Sequence, residues 1–386
     1  MTAVSKLKDP TATAPTLAAP MLRSLPRPDD EEGVKTELAR HLLEAELVNP
    51  LTDDSWDKTI AMHRDATIFH SAAWARVLVD TYGHEPCYAQ MSLNDTLQAL
   101  APMMEVKSVL TKARGVCLPF SDYCAPLLFS SLAGELVNQK LQQIGRERRW
   151  SYFQIRSHST IPVAPVTSES YYGHFLDLTI GRDSLISNFS SSAQRAIRKA
   201  ERSGLFVRIQ SDEDAMATFY KLHVRTRRRH GVPPQPWSFF LNIQRHLIGD
   251  GHGFIVIVEG QKRPLAAAIF FKFGRHAIYK FGASDERLQK LRANNLAMSA
   301  GIKNLTDAGS EILHFGRTEK ENEGLRRFKL GWGATEEEIR YARFEMESGS
   351  WKAAQPAGAR FHKHVFRALP ASLNRLAGAM IYPHLD

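Results

Sequence analysis

Side chains able to bind or polarise a substrate concentrate between residues 277 and 329 of this 386-residue chain. Tyr279, Asn294, Arg317, Phe328 and Lys329 gather there, where predicted strands give way to loops and helices. In open α/β sheets, ligands bind beyond the carboxyl ends of the strands. The pattern therefore predicts a binding cleft formed by these residues.

Lys329 is the residue in this group best suited to polarise a carbonyl. A fixed cation beside an ester or thioester carbonyl stabilises the oxyanion formed under attack by an amine, by roughly 3–4 kcal/mol in a dry site. Replacing Lys329 by Ala is therefore predicted to lower turnover at least tenfold (roughly what a 1.4 kcal/mol loss gives) at an unchanged melting temperature. The alternative interpretation is a surface lysine beside a core phenylalanine, Phe328. His70, His276 and His314 are candidate bases, and none of them stands out.

A predicted helix from Ser191 to Ser203 carries a stripe of positive charge. Arg195, Arg198, Lys199 and Arg202 recur at helical spacing, opposite Ala193, Ile197 and Ala200. Glu201 is the one acidic residue among them, and repulsion between like charges on a helix is destabilising. Two interpretations stay open, a solvated face and a phosphate site that uses Arg198 and Lys199.

Composition narrows the class of protein. A net charge of +9 and a pI near 9.4 favour anionic partners. No apolar run is long enough for a transmembrane helix, and the N-terminus lacks a signal-peptide pattern. The three cysteines form no C-x-x-C pair, and no set of residues has metal-ligand spacing. These features predict a cytoplasmic protein without a metal site; the oligomeric state stays open.

The predicted elements must position the cleft, and they form two units of similar order. Residues 1–32 are predicted to be a disordered tail, 33–172 a first domain, 173–346 a second, and 347–386 a basic tail. In the second unit, hairpin connections link three strands between residues 254 and 282, and β-α-β-α-β follows. The expected fold class is α/β (α+β mixed sheet) with helices on both faces.

Several motifs, taken in order along the chain, carry a family resemblance. They are Phe69-His70-x-x-x-Trp74, Leu118-Pro119-Phe120-x-x-Tyr123, Ile197-Arg198-Lys199-Ala200-x-x-Ser203-Gly204, Tyr279-x-x-Gly282-Ala283-Ser284, Phe315-Gly316-Arg317 and Gly324-Leu325-x-x-Phe328-Lys329-x-x-Trp332-Gly333. Over residues 45 to 345 the chain resembles the FemAB-like family of the GNAT superfamily, and most closely the exosortase/PEP-CTERM-associated FemAB proteins. The resemblance implies tandem GNAT-like acyltransferase domains.

That resemblance implies an N-acyltransferase acting on an amine of a cell-envelope precursor, either peptidoglycan or exopolysaccharide. Its characterised members transfer an aminoacyl group from tRNA to a lipid-linked precursor. The implied co-substrate is an activated acyl donor, either aminoacyl-tRNA, acyl-CoA or acyl carrier protein, with no permanently bound cofactor. By the same resemblance Lys329, Arg229 and Tyr279 are the catalytic candidates, and Phe328, Trp74 and Tyr123 are substrate-binding candidates. The other substrate-binding candidates are Arg198 and Lys199 of the charge stripe and Arg317 and Asn294 of the predicted cleft.

One segment departs from the acyl-CoA-binding pattern of GNAT enzymes. These enzymes place a glycine-rich [QR]-x-x-G-x-[GA] loop before the helix that follows their fourth strand. Here Arg292 and Asn294 stand where the glycines would be. Because a side chain at such a position obstructs the approach of a phosphate to the backbone, a standard pyrophosphate site is disfavoured.

The tail from Phe361 to Leu385 is basic and amphipathic. It suits contact with an anionic membrane at the cytoplasmic face of the inner membrane, which we favour, or docking on the body as a last helix. A rival from another class also stays open. A non-catalytic basic module for polysaccharide assembly or nucleic acid would use the basic stripe and the tail, and Phe328 and Lys329 would have no role.

Overall fold

In a computed structural model of the chain, the structure describes residues 44–109, 111–130, 133–158, 165–354 and 363–386. The predicted tail, 1–32, lies outside these residues. The strands are β1 (Glu44–Val48), β2 (Glu85–Pro86), β3 (Tyr88–Leu93), β4 (Thr96–Ala101), β5 (Met104–Val106), β6 (Arg114–Val116), β7 (Leu127–Leu128), β8 (Tyr152–Ser157), β9 (Glu169–Asp177), β10 (Phe206–Gln210), β11 (Gly253–Gly260), β12 (Arg263–Phe273), β13 (His276–Ser284), β14 (Ile312–His314), β15 (Thr335–Glu345) and β16 (Ser350–Trp351).

The helices follow the predicted order, with additions. They are α1 (Trp56–Ile60), α2 (Ala72–Tyr82), α3 (Ala133–Glu147), α4 (Arg182–Asn188), α5 (Ser191–Arg202), α6 (Glu213–Arg229), α7 (Trp237–Ile243), α8 (Ala293–Asp307), α9 (Glu323–Leu330), α10 (Lys363–Ala368) and α11 (Ala371–Ile381). Sequence reasoning missed β1, α1, α4 and α7. It also placed the start of α6 at Ser211, whereas Asp212 caps that helix by accepting from the N–H of Ala215. No described helix has the length and apolar character that crossing a bilayer requires.

One large mixed sheet organises the molecule, as the sequence predicted. Its strand order is β10-β11-β12-β13-β14-β9-β15-β8-β6-β5-β2, with β16 paired to β15, and a smaller sheet has the order β1-β3-β4-β7. The pairs β13–β14 and β6–β8 are parallel, whereas β11 to β13 form the predicted antiparallel run and β10 extends it. The mixed α/β class is therefore confirmed.

The two halves of the chain share this sheet and its core. Strand β15, near the end of the second half, pairs with β9 on one side and with β8 of the first half on the other. The ring of Trp74 on α2 packs edge to face with Phe239 on α7, and it also contacts Phe271 on β12. The large sheet thus includes strands from both halves of the chain, and the domain bounds given above stay a prediction.

The C-terminal segment docks on the body. Tyr382 donates to the carbonyl of Pro233 and accepts from Arg227. Asp386 forms an ion pair with Arg114 at 3.2 Å, between the Arg114 Nε and Asp386 Oδ2 atoms. Gly378 lies so close to Pro234 that an added Cβ would be 2.0 Å from its carbonyl oxygen. Of the two alternatives for the tail, docking is what the structure shows for the described residues.

Candidate active site

Strands β13 and β14 separate at their carboxyl ends. They pair in parallel from His276↔Ile312 to Ile278↔His314, and β13 then continues to Ser284 beside β12 but without β14. We call the place where this pairing ends the gap between β13 and β14; a Cβ added at Gly316, after β14, would lie 3.6 Å from the carbonyl oxygen of Tyr279 on β13. Because parallel strands end at the same edge of a sheet, the predicted site residues that follow these two strands lie near one point of that edge.

A carboxylate from the first half of the chain bridges this gap. Asp122 Oδ2 lies 2.6 Å from Lys280 Nζ on β13, and its Oδ1 accepts from the backbone N–H of Arg317, after β14, at 3.0 Å. Lys280 also donates to the carbonyl of Phe120 at 2.7 Å. Sequence reasoning assigned no role to either member of this pair. The one available signal was Asp122 lying inside a predicted motif loop.

Both members of the pair are buried, and electrostatics keep Asp122 ionised. Burial by itself raises the pKa of Asp122. The electrostatic interactions with Lys280 and His314, together with the hydrogen bond from the Arg317 N–H, outweigh burial and hold this pKa well below its usual range. Burial lowers the pKa of Lys280, and Asp122 opposes that shift. The result is a paired charge inside the protein, which stabilises the fold only while both partners are present.

Lys329 lies beneath the end of β14 and is only 2% exposed. Its Nζ donates to the carbonyl of Gly316 at 2.6 Å, to Thr318 Oγ1 at 2.7 Å and to the carbonyl of Arg317 at 3.3 Å. Burial lowers the pKa of Lys329 to about 7. The three acceptors suit an ammonium, and the Thr318 hydroxyl can instead donate to the neutral amine. Direct contact with a substrate therefore requires Lys329 to release these partners.

Tyr279 stands on the other side of the gap. Its ring contacts Phe270, and its hydroxyl lies over Gly282, where an added Cβ would be 1.7 Å from the oxygen. Among the described residues the hydroxyl has no hydrogen-bond partner, and burial raises its pKa to about 12. A neutral phenol of this kind can donate to a ligand oxygen at physiological pH.

The carboxyl end of β13 gathers two further predicted residues. Ser284, its last residue, accepts from Asn294 Nδ2 at 3.1 Å, and its N–H donates to Thr226 Oγ1. Arg229 lies one turn beyond Thr226 on α6, and its Nη1 atom is 3.9 Å from a carboxylate oxygen of Glu286. Asn294 and Arg229 thus sit near one end of the strand that carries Tyr279.

The most prominent charged feature is a cleft of about 400 Å³ between α5, the start of α8 and α9, which we call the basic cleft. Its lining residues are Ser190, Ser192, Ala193, Arg195, Ala196, Lys199, Arg292, Asn295, Arg327, Phe328 and Gly331. The cationic side chains come from three separate elements, and none of the described acidic residues lines the cleft. Sequence reasoning found the α5 stripe but missed Arg327, and it treated Arg292 only as an obstruction.

The basic stripe of α5 divides between two clefts. Lys199 lines the basic cleft, whereas Arg198 lines a second, more apolar cleft of about 330 Å³ between α4, α5 and α8. Glu201 also lines this second cleft. Neither cleft is lined by Tyr279 or Lys329, although Phe328, the neighbour of Lys329, forms a wall of the basic cleft.

Four predicted substrate-binding residues line neither cleft, namely Asn294, which lies near the end of β13, and the three residues Trp74, Tyr123 and Arg317. Trp74 is fully buried against Phe69, so a ligand reaches it only if the core repacks. Tyr123 is also buried, and its ring packs edge to face with His314. Arg317 is exposed, with its guanidinium 4.6 Å from the centroid of the Tyr171 ring. Of these three, only Arg317 can meet a ligand without repacking.

Comparison with known proteins connects this architecture to an enzyme superfamily. Residues 187–341 match the family model described as an acetyltransferase (GNAT) domain. This range contains α5, β13, β14, α9 and every lining residue of both clefts except Arg182, Leu185 and Ile186. A comparison with curated protein sequences found no match.

Solved structures share the fold over most of the chain. FemX superposes with a TM-score of 0.60 at 14% identity, covering 77% of this chain and 96% of FemX. A tandem GNAT protein from the clavulanic acid biosynthesis pathway gives 0.51 at 10% identity, covering 79% and 98%. L-PGS from Bacillus licheniformis gives 0.50 at 9% identity, covering 86% and 97%. These likenesses show a shared fold, and residues 187–341 of the chain are similar to a GNAT acetyltransferase domain.

Proposed function

We propose that this protein is an N-acyltransferase that moves an acyl or aminoacyl group onto an amine of a cell-envelope precursor, either peptidoglycan or exopolysaccharide. The observation that carries the proposal is the basic cleft beside the gap between β13 and β14. It offers a phosphate-binding surface next to the edge where ligands bind in α/β sheets.

The donor would bind in the basic cleft through its phosphates. Arg195, Lys199, Arg292 and Arg327 supply cationic groups from different elements, so no single helix face explains their convergence. Arg292 adopts a left-handed conformation, with φ of 63°, at the start of α8, and no side chain caps that helix there. Free N–H groups at a helix start favour an anion. Aminoacyl-tRNA, acyl-CoA and acyl carrier protein all bring phosphates.

The acceptor amine would approach through the gap between β13 and β14. Tyr279 and Arg317 flank the gap, and Arg229 and Asn294 lie at the end of β13. The proposed acceptor class rests on the resemblance to FemAB-like proteins, and FemX is among the similar structures.

The proposed reaction is a direct attack without a covalent enzyme intermediate. The amine nitrogen forms a bond to the donor carbonyl carbon, and the ester or thioester bond breaks and releases the donor alcohol or thiol. The amine proton passes to water or to a substrate group. Tyr279 would donate to the developing oxyanion, while Lys329 would keep Gly316 and Thr318 in position beneath the gap, acting as a positioning residue.

A transfer assay tests this function. Full-length protein would be incubated with radiolabelled acetyl-CoA, an acyl carrier protein thioester or alanyl-tRNA, each with a lipid-linked peptidoglycan precursor or an amino sugar. Label transferred to the amine with at least one donor is the expected result. Binding of RNA or polysaccharide with no transfer from any donor would instead favour the non-catalytic module and overturn the proposal.

A further inference from the structure

The last helix presents an apolar row to solvent. Leu373, Leu376 and Met380 on α11 are 51%, 58% and 66% exposed, and Leu385 just beyond is 42% exposed. The spacing of three and four residues places the first three on one face of the helix. Monomeric proteins rarely expose neighbouring large apolar side chains in this way without a partner.

The opposite side of α11 packs on the body of the protein, so the exposed row is not the side of the helix that faces the core. Asn374 is fully buried and donates to the carbonyl of Phe366, and Gly378 lies against Pro234. Tyr382 is held by two hydrogen bonds, as described above. Helix α11 is thus fixed with its apolar row directed outward.

The charged side chains of the segment that carries the row, from residue 352 to 385, are all basic. From Lys352 to Leu385 the sequence contains no Asp or Glu, and its charged side chains are Lys352, Arg360, Lys363, Arg367 and Arg375. Helix α11 packs on α6, which exposes Lys221, Arg225 and Arg228 along one face. None of the exposed cations Arg367, Arg375, Lys221, Arg225 and Arg228 has a carboxylate ion-pair partner among the described residues.

We propose that this face, which we call the α11 face, docks the protein on the surface of an anionic lipid bilayer. An apolar row flanked by unpaired cations is the arrangement that binds at the boundary between headgroups and acyl chains. Anionic headgroups would attract the cations, at about 1 kcal/mol per residue near the surface, and the leucines would enter the interface. The inference does not depend on the proposed reaction, because it uses none of the cleft residues.

Vesicle co-sedimentation of the full-length protein tests the proposal. With vesicles of phosphatidylcholine and phosphatidylglycerol we expect binding that weakens as salt increases, and at least tenfold weaker binding to pure phosphatidylcholine (a factor set by about 1.4 kcal/mol). The triple variant Leu373→Ser, Leu376→Ser, Met380→Ser should bind the mixed anionic vesicles more weakly than the unmodified protein does, by at least the same factor. The matched control, Leu47→Ser, Met62→Ser, Ile209→Ser, changes equally exposed apolar residues elsewhere and should bind as the unmodified protein does.

Two outcomes would overturn the proposal. One is equal partitioning of the unmodified protein and the α11 triple variant onto anionic vesicles. The other is a dimer in light scattering that dissociates in the α11 triple variant, with no vesicle binding, which would assign the face to a second copy of the chain. Circular dichroism of each variant verifies folding, and since the substituted side chains are exposed we expect unchanged spectra.

Discussion

Asp122 and Lys280 join the two halves of the chain through a buried ion pair of 2.6 Å, at the point where β13 leaves β14. Removing one partner leaves an uncompensated buried charge, which typically costs about 3–5 kcal/mol. We therefore expect Asp122→Asn to lower the free energy of unfolding by an amount of that order, measured by urea denaturation. Glu323→Gln, which breaks the exposed pair with Arg327, is the control and should change the midpoint little.

The pair also carries an acid dependence. Because the pKa of Asp122 is depressed in the folded protein, its stabilising contribution is complete above the unfolded pKa near 3.8. This contribution is lost as the pH falls further, towards the folded pKa. The difference in unfolding free energy between unmodified protein and the double variant Asp122→Asn, Lys280→Met should therefore shrink below about pH 4. A difference that stays constant down to pH 2 (about two pKa units below that of a normal aspartate) would show that the pair does not titrate in this way.

The basic cleft leads to a prediction about donor binding. The double variant Arg195→Ala, Lys199→Ala removes two cations from the cleft, so we expect weaker binding of coenzyme A or of a short RNA ending in CCA, by at least tenfold at low salt. The slope of affinity against salt should also become shallower. Isothermal titration measures both quantities.

Arg202→Ala is the matched control for this variant. It removes an equal charge per substitution from the same helix, but Arg202 lines neither cleft, and its Nε donates to the carbonyl of Arg198. Equal losses in Arg202→Ala and in the cleft variants would mean that the net charge, and not the cleft, attracts the anion.

Burial of Lys329 changes what its substitution should do. The sequence predicted a lower turnover for Lys329→Ala at an unchanged melting temperature. With the amine 2% exposed and held by Gly316 and Thr318, we instead expect both the melting temperature and the turnover to fall. An unchanged melting temperature would contradict the buried hydrogen bonds.

The lowered pKa of Lys329 also predicts how the free energy of unfolding changes with pH. The folded pKa, about 7, lies below the usual value of 10.5, so between these values the unfolded chain binds more protons. The contribution of Lys329 to stability therefore rises with pH across that window, by up to about 1.4 kcal/mol per pH unit. Lys329→Met should remove this rise, as measured by denaturant unfolding at about pH 7.5 and about pH 9.5, both within the window. Identical pH dependence in both proteins would mean that the amine keeps its normal pKa.

The sequence predicted the alternation of elements well, because hydrophobic periodicity and turn residues act locally. Helix α5 runs from Ser191 to Arg202 against a prediction of Ser191 to Ser203, and the three strands predicted between residues 254 and 282 are β11, β12 and β13. Helix α7 was missed because it follows Pro233-Pro234 and has aromatic residues on more than one side, which gives no single apolar stripe.

The site was harder to predict than the fold, since it depends on contacts between distant residues. Asp122 and Lys280 are 158 positions apart, and nothing local in either segment indicates the other. Arg327 and Arg292 meet Lys199 only after three elements have packed. The local pattern around Lys329 also suggested an accessible cation, whereas the turn at Gly316 covers it.

Gly282 and Tyr279 allow a direct test of the gap between β13 and β14. A Cβ at position 282 would lie 1.7 Å from the Tyr279 hydroxyl oxygen, so Gly282→Ala must displace the phenol. If that hydroxyl donates to the developing oxyanion, Gly282→Ala and Tyr279→Phe should each lower turnover by about 10²-fold or more. Phenylalanine lacks the oxygen but keeps the ring Cζ, which would lie 2.8 Å from the added Cβ, so Gly282→Ala should cost less on top of Tyr279→Phe than it costs alone. Fully additive losses in this double-mutant cycle would show that Gly282 acts independently of Tyr279.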